Sequence, residues 1–245
     1  MINDLKAVVL AAGKGTRLYS ETSDLPKVMR LAAGLPLLKY VLDAIDFVGK
    51  PDTTIVVGYK KEAVTSAFPD YGFAEQTEQL GTGHAVMAAS KGIENYDGSV
   101  LVCCGDMPLI KKETFEALVK THFEDKNDCT ILSGTTDEPL DYGRIVRDSN
   151  GAFSRLVEHK DCNEEERKIK ELNSGVYIFK ADLLLEALGK LRCDNSQKEY
   201  YLTDVPVILS SEGRKVGVCC RHLGAELLGV NTPEQLALAE RLLKK

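Results

Sequence analysis

Short apolar runs alternate along the chain with longer segments whose apolar residues recur every three or four positions. Residues 5–11 form a short apolar run with β-branched side chains, which predicts the first strand. Residues 36–48 carry apolar side chains at helical spacing and predict an amphipathic helix. The apolar run Ser99–Cys104 is typical of a central parallel strand covered on both faces. This alternation predicts an α/β fold with a mostly parallel central sheet.

The same periodicity assigns the other regular elements. Further strands are predicted at Thr53–Val57 and at residues 71–75, 129–134, 175–179, 215–220 and 227–230. Further helices are predicted at residues 60–68, 82–91, 112–123, 181–191 and 202–211, the last with Asp204 as an alternative start. The final helix begins at Thr232, where threonine is the cap, proline takes the first helical position and Gln235 completes a capping box.

The alternation breaks after the strand at residues 129–134. Arg144–Arg147 and residues 153–159 flank Asn150-Gly151, and an Asn-Gly pair between two short strands favours a β-hairpin. We expect this hairpin and the charged residues 163–170 to form a small lobe beside the main sheet, at about residues 140–172. The whole of residues 1–245 is interpreted as one domain with this lobe.

Composition narrows the function. The 245 residues carry a net charge of −6, so no basic surplus exists for binding nucleic acid. No apolar run approaches the roughly 18–20 residues of a membrane span, and the N-terminus lacks a signal peptide. We therefore expect a cytoplasmic protein with small-molecule partners, no nucleic acid and no membrane.

The seven cysteines form no Cys-x-x-Cys pair. Two adjacent pairs, Cys103-Cys104 and Cys219-Cys220, stand in apolar runs, which favours buried free thiols over zinc or a disulfide framework.

The loop after the first strand is the strongest candidate for anion binding. Gly13 and Gly15 allow the backbone to approach a phosphate closely, and Arg17 offers a planar fork of donors. Pro26 then holds a second cation, Lys27, at a stiffened point. The spacing is neither that of a Walker A loop nor G-x-G-x-x-G, so a solvated loop with incidental charge is the alternative.

Polar residues also follow later strands. Asp106 comes just after Ser99–Cys104, and Asn231 stands between a predicted strand and a helix, so both fit oxygen ligands of a hard cation such as Mg²⁺. The Gln76 amide presents a donor and an acceptor that suit the edge of a pyrimidine. Loop or cap roles are the alternatives for Asp106 and Asn231, and Thr82 can serve as a helix cap.

The ordered motifs together resemble one family. Leu10-Ala11-Ala12-Gly13-Lys14-Gly15-Thr16-Arg17 followed by Leu25-Pro26-Lys27 resembles the signature of sugar-1-phosphate nucleotidylyltransferases. Within that family, the chain is similar to the uridylyltransferase domain of the bacterial bifunctional enzyme that makes UDP-N-acetylglucosamine. The segments that carry this likeness are residues 78–85, 105–110, 142–146, 157–161, 171–175, 199–204 and 229–231.

This resemblance implies a Rossmann-like, three-layer nucleotidyltransferase fold and a Mg²⁺-dependent reaction. UTP and N-acetylglucosamine 1-phosphate would give UDP-N-acetylglucosamine and pyrophosphate. The implied catalytic residues are Arg17 and Lys27, and the implied metal ligands are Asp106 and Asn231. The implied nucleotide-binding residues are Leu10, Ala11, Ala12, Gly13, Gly15, Thr16, Gln76, Gly81 and Thr82. The implied sugar-binding residues are Gly143, Glu158, Asn173, Tyr201 and Thr203.

The chain also departs from that family. Cys104 stands where the bifunctional enzyme carries a tyrosine near the sugar, and the segment between Arg17 and Lys27 is slightly longer. No hexapeptide repeats follow, so we expect neither acetyl transfer nor the trimerising β-helix. The alternatives left open are a transferase for another sugar phosphate or nucleotide and a non-catalytic nucleotide-sugar sensor. For Glu158 and Tyr201, a surface hairpin carboxylate and a core tyrosine are the alternatives.

Overall fold

Strand–helix alternation organises the chain in a computed structural model that describes residues 4–15, 18, 25–136 and 140–244. The strands are β1 (Leu5–Leu10), β2 (Leu31–Ala32), β3 (Leu35–Pro36), β4 (Thr53–Val57), β5 (Gly72–Glu75), β6 (Ser99–Cys104), β7 (Cys129–Thr135), β8 (Arg144–Arg147), β9 (Phe153–Val157), β10 (Glu171–Lys180) and β11 (Val216–His222). The helices are α1 (Leu37–Ala44), α2 (Lys61–Ala67), α3 (Thr82–Ala88), α4 (Lys112–Glu124), α5 (Glu164–Arg167), α6 (Ala181–Leu188), α7 (Asp204–Ser211) and α8 (Pro233–Leu243).

Seven strands lie side by side in the order β11-β7-β10-β6-β1-β4-β5. The pairs β1–β4, β1–β6, β4–β5 and β7–β11 are parallel, whereas β10 runs antiparallel to both β6 and β7. The predicted, mostly parallel sheet is thus confirmed, with β10 reversed between its neighbours. The carboxyl ends of β1, β4, β6 and β7 therefore share one edge with the start of β10.

Apolar side chains pack on both faces of this sheet. Successive residues of a strand point to opposite faces, and β6 shows the consequence. Leu101 and Cys103 join the core cluster that includes α1 and α4, whereas Val100 and Val102 join the cluster that includes α3, α6 and α7. The run Ser99–Cys104 is apolar on both faces because both are covered, which confirms the three-layer arrangement.

The predicted hairpin is present as β8 and β9, and β8 joins the main sheet where Arg144 pairs with Leu172 of β10. Its turn contains Asn150 and Gly151, and Gly151 adopts φ +79°. The Asp148 carboxylate accepts hydrogen bonds from the backbone N–H groups of Asn150 and Ala152 at 2.8 and 2.9 Å. Turn chemistry thus fixes the hairpin beside the first half of β10.

Two strand assignments from the sequence differ from the structure, and two short strands were not assigned. Residues 227–230 are not a strand, because Gly224–Leu227 forms a 3-10 turn and the backbone N–H groups that follow bind a loop and a side chain. β10 begins at Glu171 rather than at residue 175, with an irregularity in register between Asn173 and Val176. The two-residue strands β2 and β3 were too short for a periodic signal.

Helix boundaries follow local chemistry. α7 begins at Asp204, which confirms the alternative start. At α8, Thr232 accepts a hydrogen bond from the Gln235 N–H at 3.3 Å, and the Gln235 side chain accepts one from the Thr232 N–H at 3.0 Å. The predicted capping box is therefore confirmed.

All seven cysteines lie in the described part of the chain as free thiols. Of the two adjacent pairs, Cys103 and Cys219 are buried as expected, whereas Cys104 is half-buried and Cys220 is exposed on the edge strand β11.

Within the described residues, no helix combines the length and apolar character needed to cross a membrane.

His122 on α4 gives the fold a testable pH dependence. It is 2% exposed, and its ring nitrogens lie 3.0 Å from Ser99 Oγ and 2.9 Å from Thr130 Oγ1. Burial, with a smaller effect of Lys180, lowers the pKa of His122 from 6.5 to about 4. The His122 imidazole therefore binds a proton more readily in the unfolded chain than in the folded protein. As the pH falls from 6.5 to about 4, the free energy of unfolding should decrease by about 3 kcal/mol.

Urea unfolding at a series of pH values measures this slope. The variant His122→Gln keeps hydrogen-bonding capacity without titrating, so its stability should vary less between pH 6.5 and 4 than that of the wild type. Equal slopes for the two proteins would show that His122 does not carry the effect.

Candidate functional site

A cavity opens at the carboxyl ends of β1, β5 and β6, where the sheet topology predicts ligand binding. We call it the first cavity. Its lining residues are Leu10, Ala11, Ala12, Gly13, Lys27, Val28, Gln76, Gln79, Gly81, Thr82, Ala85, Cys104, Asp106 and Glu199. The structure thus brings seven of the nine predicted nucleotide-binding residues to one place.

Two hydrogen bonds, one to β4 and one to the Gln79 side chain, hold the start of the loop after β1. The Ala11 N–H donates to Val56 O at 2.9 Å, and Ala12 O accepts from Gln79 Nε2 at 3.0 Å. Gly15 has φ +65°, and a Cβ built on it would lie 2.5 Å from Lys27 Cβ. Glycine is therefore required here, because the side chain of Lys27 lies against it.

Three predicted residues from distant parts of the chain meet at one end of the first cavity. Lys27 Nζ donates a hydrogen bond to Asn231 Oδ1 at 2.7 Å and forms an ion pair with the Asp106 carboxylate. The side chains of Lys27 and Asp106 are 15% and 18% exposed. We call Lys27, Asp106 and Asn231 the charged cluster.

Backbone contacts fix both oxygen-bearing members of the charged cluster. The Val230 N–H donates to Asp106 O at 2.9 Å, which joins the end of β6 to the segment before α8. The Asn231 N–H donates to Gln235 Oε1 at 2.7 Å, and Asn231 Nδ2 donates to Gly229 O at 3.2 Å. The Asn231 amide is thereby oriented with Oδ1 toward Asp106 and Lys27.

The donor set of this cluster fits a hard divalent cation. A carboxylate and an amide oxygen already converge on one cationic group, the Lys27 ammonium. In the described ranges, no group of three or more His, Cys, Asp or Glu side chains could hold a metal ion. Few protein ligands are expected for Mg²⁺ when substrate phosphates complete its coordination.

The segment from Gln76 to Thr82 forms the opposite wall. Gln76 is 5% exposed, and its Nε2 lies 3.1 Å from Gly81 O and 3.2 Å from His84 Nδ1. Thr82 does not cap α3, since Gly81 stands at the cap position and Thr82 Oγ1 instead accepts the Leu202 N–H at 3.0 Å. The capping alternative for Thr82 is therefore wrong.

Gly81 and Gly83 let a second chain segment approach this wall. A Cβ on Gly81 would lie 2.6 Å from Tyr200 O, and one on Gly83 would lie 2.9 Å from the same atom. The Gly83 N–H donates to Tyr200 O at 2.7 Å, and the Tyr200 N–H donates to Leu80 O at 2.8 Å. This pairing fixes Tyr200 and the residues after it.

A second cavity adjoins the first on the side of β8 and β10. Its lining residues are Cys104, Asp106, Met107, Asp141, Tyr142, Gly143, Glu158, Asn173, Ser174, Gly175, Gly229 and Asn231. Three of the five predicted sugar-binding residues therefore line it, together with both predicted metal ligands. Cys104 and Asp106 line both cavities, so the two spaces meet at the end of β6.

Glu158 and Asn173 are oriented by neighbours within this wall. Thr203 Oγ1 donates to Glu158 Oε1 at 3.0 Å, and burial raises the pKa of Glu158 above its usual value. Asn173 Nδ2 donates to the Tyr177 hydroxyl at 2.6 Å, and Asn173 Oδ1 accepts the Gly175 N–H at 3.1 Å. Both side chains therefore have a defined orientation and retain further hydrogen-bonding capacity.

Tyr142 lies in the family-like segment at residues 142–146 but was not predicted to have a role in the site. Its hydroxyl accepts the Gly229 N–H at 2.8 Å, two residues before Asn231. Burial is the main cause that raises the pKa of Tyr142 to about 12, so the hydroxyl stays protonated at neutral pH. Tyr142 thus ties the second cavity to the loop that carries Asn231.

Several predicted residues lie away from the two cavities. Tyr201 lines neither, and its hydroxyl is hydrogen-bonded to Ser196. Gly15 and Thr203 act through their contacts with Lys27 and Glu158. Thr16 and Arg17 fall outside the described residues.

Gln79, Glu199 and Tyr177 were not predicted as site residues. Gln79 and Glu199 lie in the family-like segments at residues 78–85 and 199–204, where their polar side chains could have indicated a role in the site. The apolar pattern of β10 concealed the polar role of Tyr177.

Comparisons with known proteins agree with this arrangement. The sequence profile of the nucleotidyl transferase family matches residues 6–222. Over 240 residues the chain is 46% identical to "Bifunctional protein GlmU" of Clostridium beijerinckii, covering 97% of this chain and 52% of the relative. The protein of the same name from Streptococcus pyogenes serotype M1 is 44% identical over 240 residues, covering 98% of this chain and 52% of its own length. The chain therefore spans about half the length of these curated relatives.

A solved structure of UDP-glucose pyrophosphorylase complexed with UDP-glucose superimposes with a TM-score of 0.78. The match covers 98% of each chain at 18% sequence identity. At this identity the likeness establishes the fold.

Thr82 provides a test of the wall that joins the two cavities. Thr82→Val removes the acceptor of the Leu202 N–H and should lower the free energy of unfolding by about 1 kcal/mol. Thr82→Ser keeps the hydroxyl and serves as the matched control, with a smaller change. Urea unfolding measures both variants, and an equal loss in the two would argue against the hydrogen bond as the stabilising contact.

Proposed function

Because this chain belongs to the nucleotidyl transferase family, we propose that it transfers the uridylyl group of UTP to N-acetylglucosamine 1-phosphate, releasing pyrophosphate. The observation that carries the proposal is the meeting of two cavities at Asp106, beside Lys27 and Asn231. A two-substrate reaction needs two adjoining spaces with charge-neutralising groups where they meet. The 46% identity to the Clostridium beijerinckii protein supports the same assignment over the matched half of that relative.

The first cavity would hold UTP. Backbone groups of residues 10–13 line this cavity and can approach the triphosphate, since Gly13 has no side chain and no neighbouring atom lies within 4 Å of a Cβ built on it. The Gln76 amide and the Gly81–Thr82 backbone would meet the edge of the uracil. Lys27, together with Arg17 and Thr16, would bind the phosphates that leave as pyrophosphate.

The second cavity would hold the sugar phosphate. The Glu158 carboxylate would accept hydrogen bonds from sugar hydroxyls, while Thr203 holds its other side. Asn173 and the Gly143 backbone, which line this cavity, would meet hydroxyl or N-acetyl oxygens. In this proposal the lobe at residues 140–172 is the sugar-binding part of a single nucleotidyltransferase domain.

Asp106 and Asn231 would hold the divalent cation, which we take to be Mg²⁺. When bound, Mg²⁺ would neutralise charge on the phosphates during transfer. Asp106 borders both cavities, so its carboxylate can hold a cation in contact with either substrate.

The chemistry needs no nucleophile from the protein. A sugar-phosphate oxygen is anionic at neutral pH and would attack the α-phosphorus of UTP as the bond to the β-phosphate oxygen breaks. The protein's part is to align the two substrates and to stabilise the charge that develops on pyrophosphate, for which Lys27 is placed.

One residue, Cys104, bears on which sugar the second cavity would accept. Cys104 lies at the junction of the cavities, with Sγ 3.8 Å from the position of a Cβ built on Gly175. A cysteine is much smaller than the tyrosine at this position in the uridylyltransferase domain that the chain resembles, so the contact that this tyrosine would make with the sugar is absent. This difference leaves the choice of sugar open, and glucose 1-phosphate is the second candidate acceptor.

A panel of nucleoside triphosphates and sugar 1-phosphates, followed by pyrophosphate release, tests the proposal. We expect the highest kcat/KM for UTP with N-acetylglucosamine 1-phosphate, at least tenfold above CTP or ATP with the same sugar. Asp106→Asn should lower that rate by about 100-fold or more, because a neutral amide binds the cation weakly.

The matched control is Asp46→Asn, which removes an exposed carboxylate that pairs with Lys112. It should retain the wild-type rate. If no combination of nucleoside triphosphate and sugar 1-phosphate gave pyrophosphate, the result would favour a nucleotide-sugar sensor. A higher kcat/KM for glucose 1-phosphate would favour the second candidate acceptor.

A further inference from the structure

The Lys27 ammonium lies where the two proposed metal ligands converge. Lys27 Nζ is 2.7 Å from Asn231 Oδ1 and is ion-paired with Asp106 Oδ2. A Mg²⁺ ion needs its oxygen ligands at about 2.0–2.1 Å, in near-octahedral geometry. An ion on these same two oxygens would stand against the ammonium, so the two cations exclude each other by both volume and charge.

We propose that Lys27 closes the metal site until a triphosphate draws its ammonium away, so that tight cation binding depends on the nucleotide. This inference rests on the proposed function, in which the first cavity holds a nucleoside triphosphate. The phosphates offer Lys27 a stronger anionic partner than a single carboxylate. Asp106 and Asn231 then become available to a divalent cation.

The surroundings of Lys27 allow that movement. Its stem lies along Gly15, where Cβ, Cγ and Cδ would come within 3.1 Å of a Cβ built on the glycine. Lys27 also lines the first cavity beside Gly13, and its side chain is 15% exposed. A lysine is a compact charge on a flexible four-carbon stem, so the ammonium can turn from the charged cluster into the cavity.

The backbone that carries the two proposed ligands is, in contrast, held without Lys27. Asp106 O accepts the Val230 N–H, and the Asn231 N–H donates to Gln235 Oε1. The Asn231 amide is also held, because its Nδ2 donates to Gly229 O. A displaced ammonium therefore leaves the backbone positions of both ligands unchanged. The Asp106 carboxylate also keeps one cationic partner throughout, because the divalent cation takes the place of the Lys27 ammonium.

Mn²⁺ titration of the protein alone, followed by electron paramagnetic resonance, tests this inference without turnover. The Lys27→Met variant should bind Mn²⁺ at least about tenfold more tightly than the wild type. Lys39→Met is the matched control, because it removes one positive charge that pairs with exposed Asp43 on α1. This control should bind Mn²⁺ as the wild type does.

Two more variants show whether the gain in Mn²⁺ affinity comes from loss of the Lys27 charge and whether Mn²⁺ binds at the charged cluster. Lys27→Arg keeps the charge, so it should show no comparable gain. The double variant Lys27→Met/Asp106→Asn should lose the gain if Mn²⁺ binds at the charged cluster. Circular dichroism checks that each variant is folded, and Lys27→Gln replaces Lys27→Met if the latter is not.

Equal Mn²⁺ affinity in the wild type and Lys27→Met would overturn the inference, as would a gain that persists in the double variant. Failure of the proposed function has a different signature. It would appear as absent pyrophosphate release in the substrate panel, whatever the Mn²⁺ affinities are.

Discussion

The ion pair between Lys27 and Asp106, completed by Asn231, is the contact on which the rest of the site depends. It joins the turn that follows the β1 loop, the end of β6 and the residue before α8. The stem of Lys27 lies against Gly15, the Asp106 backbone accepts the Val230 N–H, and the Asn231 N–H donates to Gln235. Because both cavities end at this cluster, its charge acts on whatever fills either of them.

A second series of contacts joins the two cavities on the opposite side. Leu80 and Gly83 pair with the backbone of Tyr200, and the Thr82 hydroxyl holds the Leu202 N–H. The next residue, Thr203, donates to Glu158 in the second cavity. These contacts link the wall around Gly81 to the carboxylate that faces the proposed sugar site.

Much of this could be predicted from sequence because its signals are local. Periodic apolar runs gave most strands and helices, and the capping box of α8 followed from Thr232 and Gln235. The ordered motifs led to residues that line the two cavities. The irregular segment at residues 227–230 was misread as a strand, since its backbone partners, Asp106 and Tyr142, are remote in sequence. The contact of Lys27 with Asp106 and Asn231 was equally invisible, because neither the ion pair with Asp106 nor the hydrogen bond to Asn231, 204 residues away, leaves a local pattern.

A crystal structure of the protein with UTP and Mn²⁺ would show where the cation and the Lys27 ammonium lie, since anomalous scattering locates the manganese. We expect Mn²⁺ bound to Asp106 and Asn231 in contact with the nucleotide, and Lys27 Nζ moved from these oxygens to the phosphates. Mn²⁺ at another position, with the ion pair of Lys27 and Asp106 intact, would contradict this expectation.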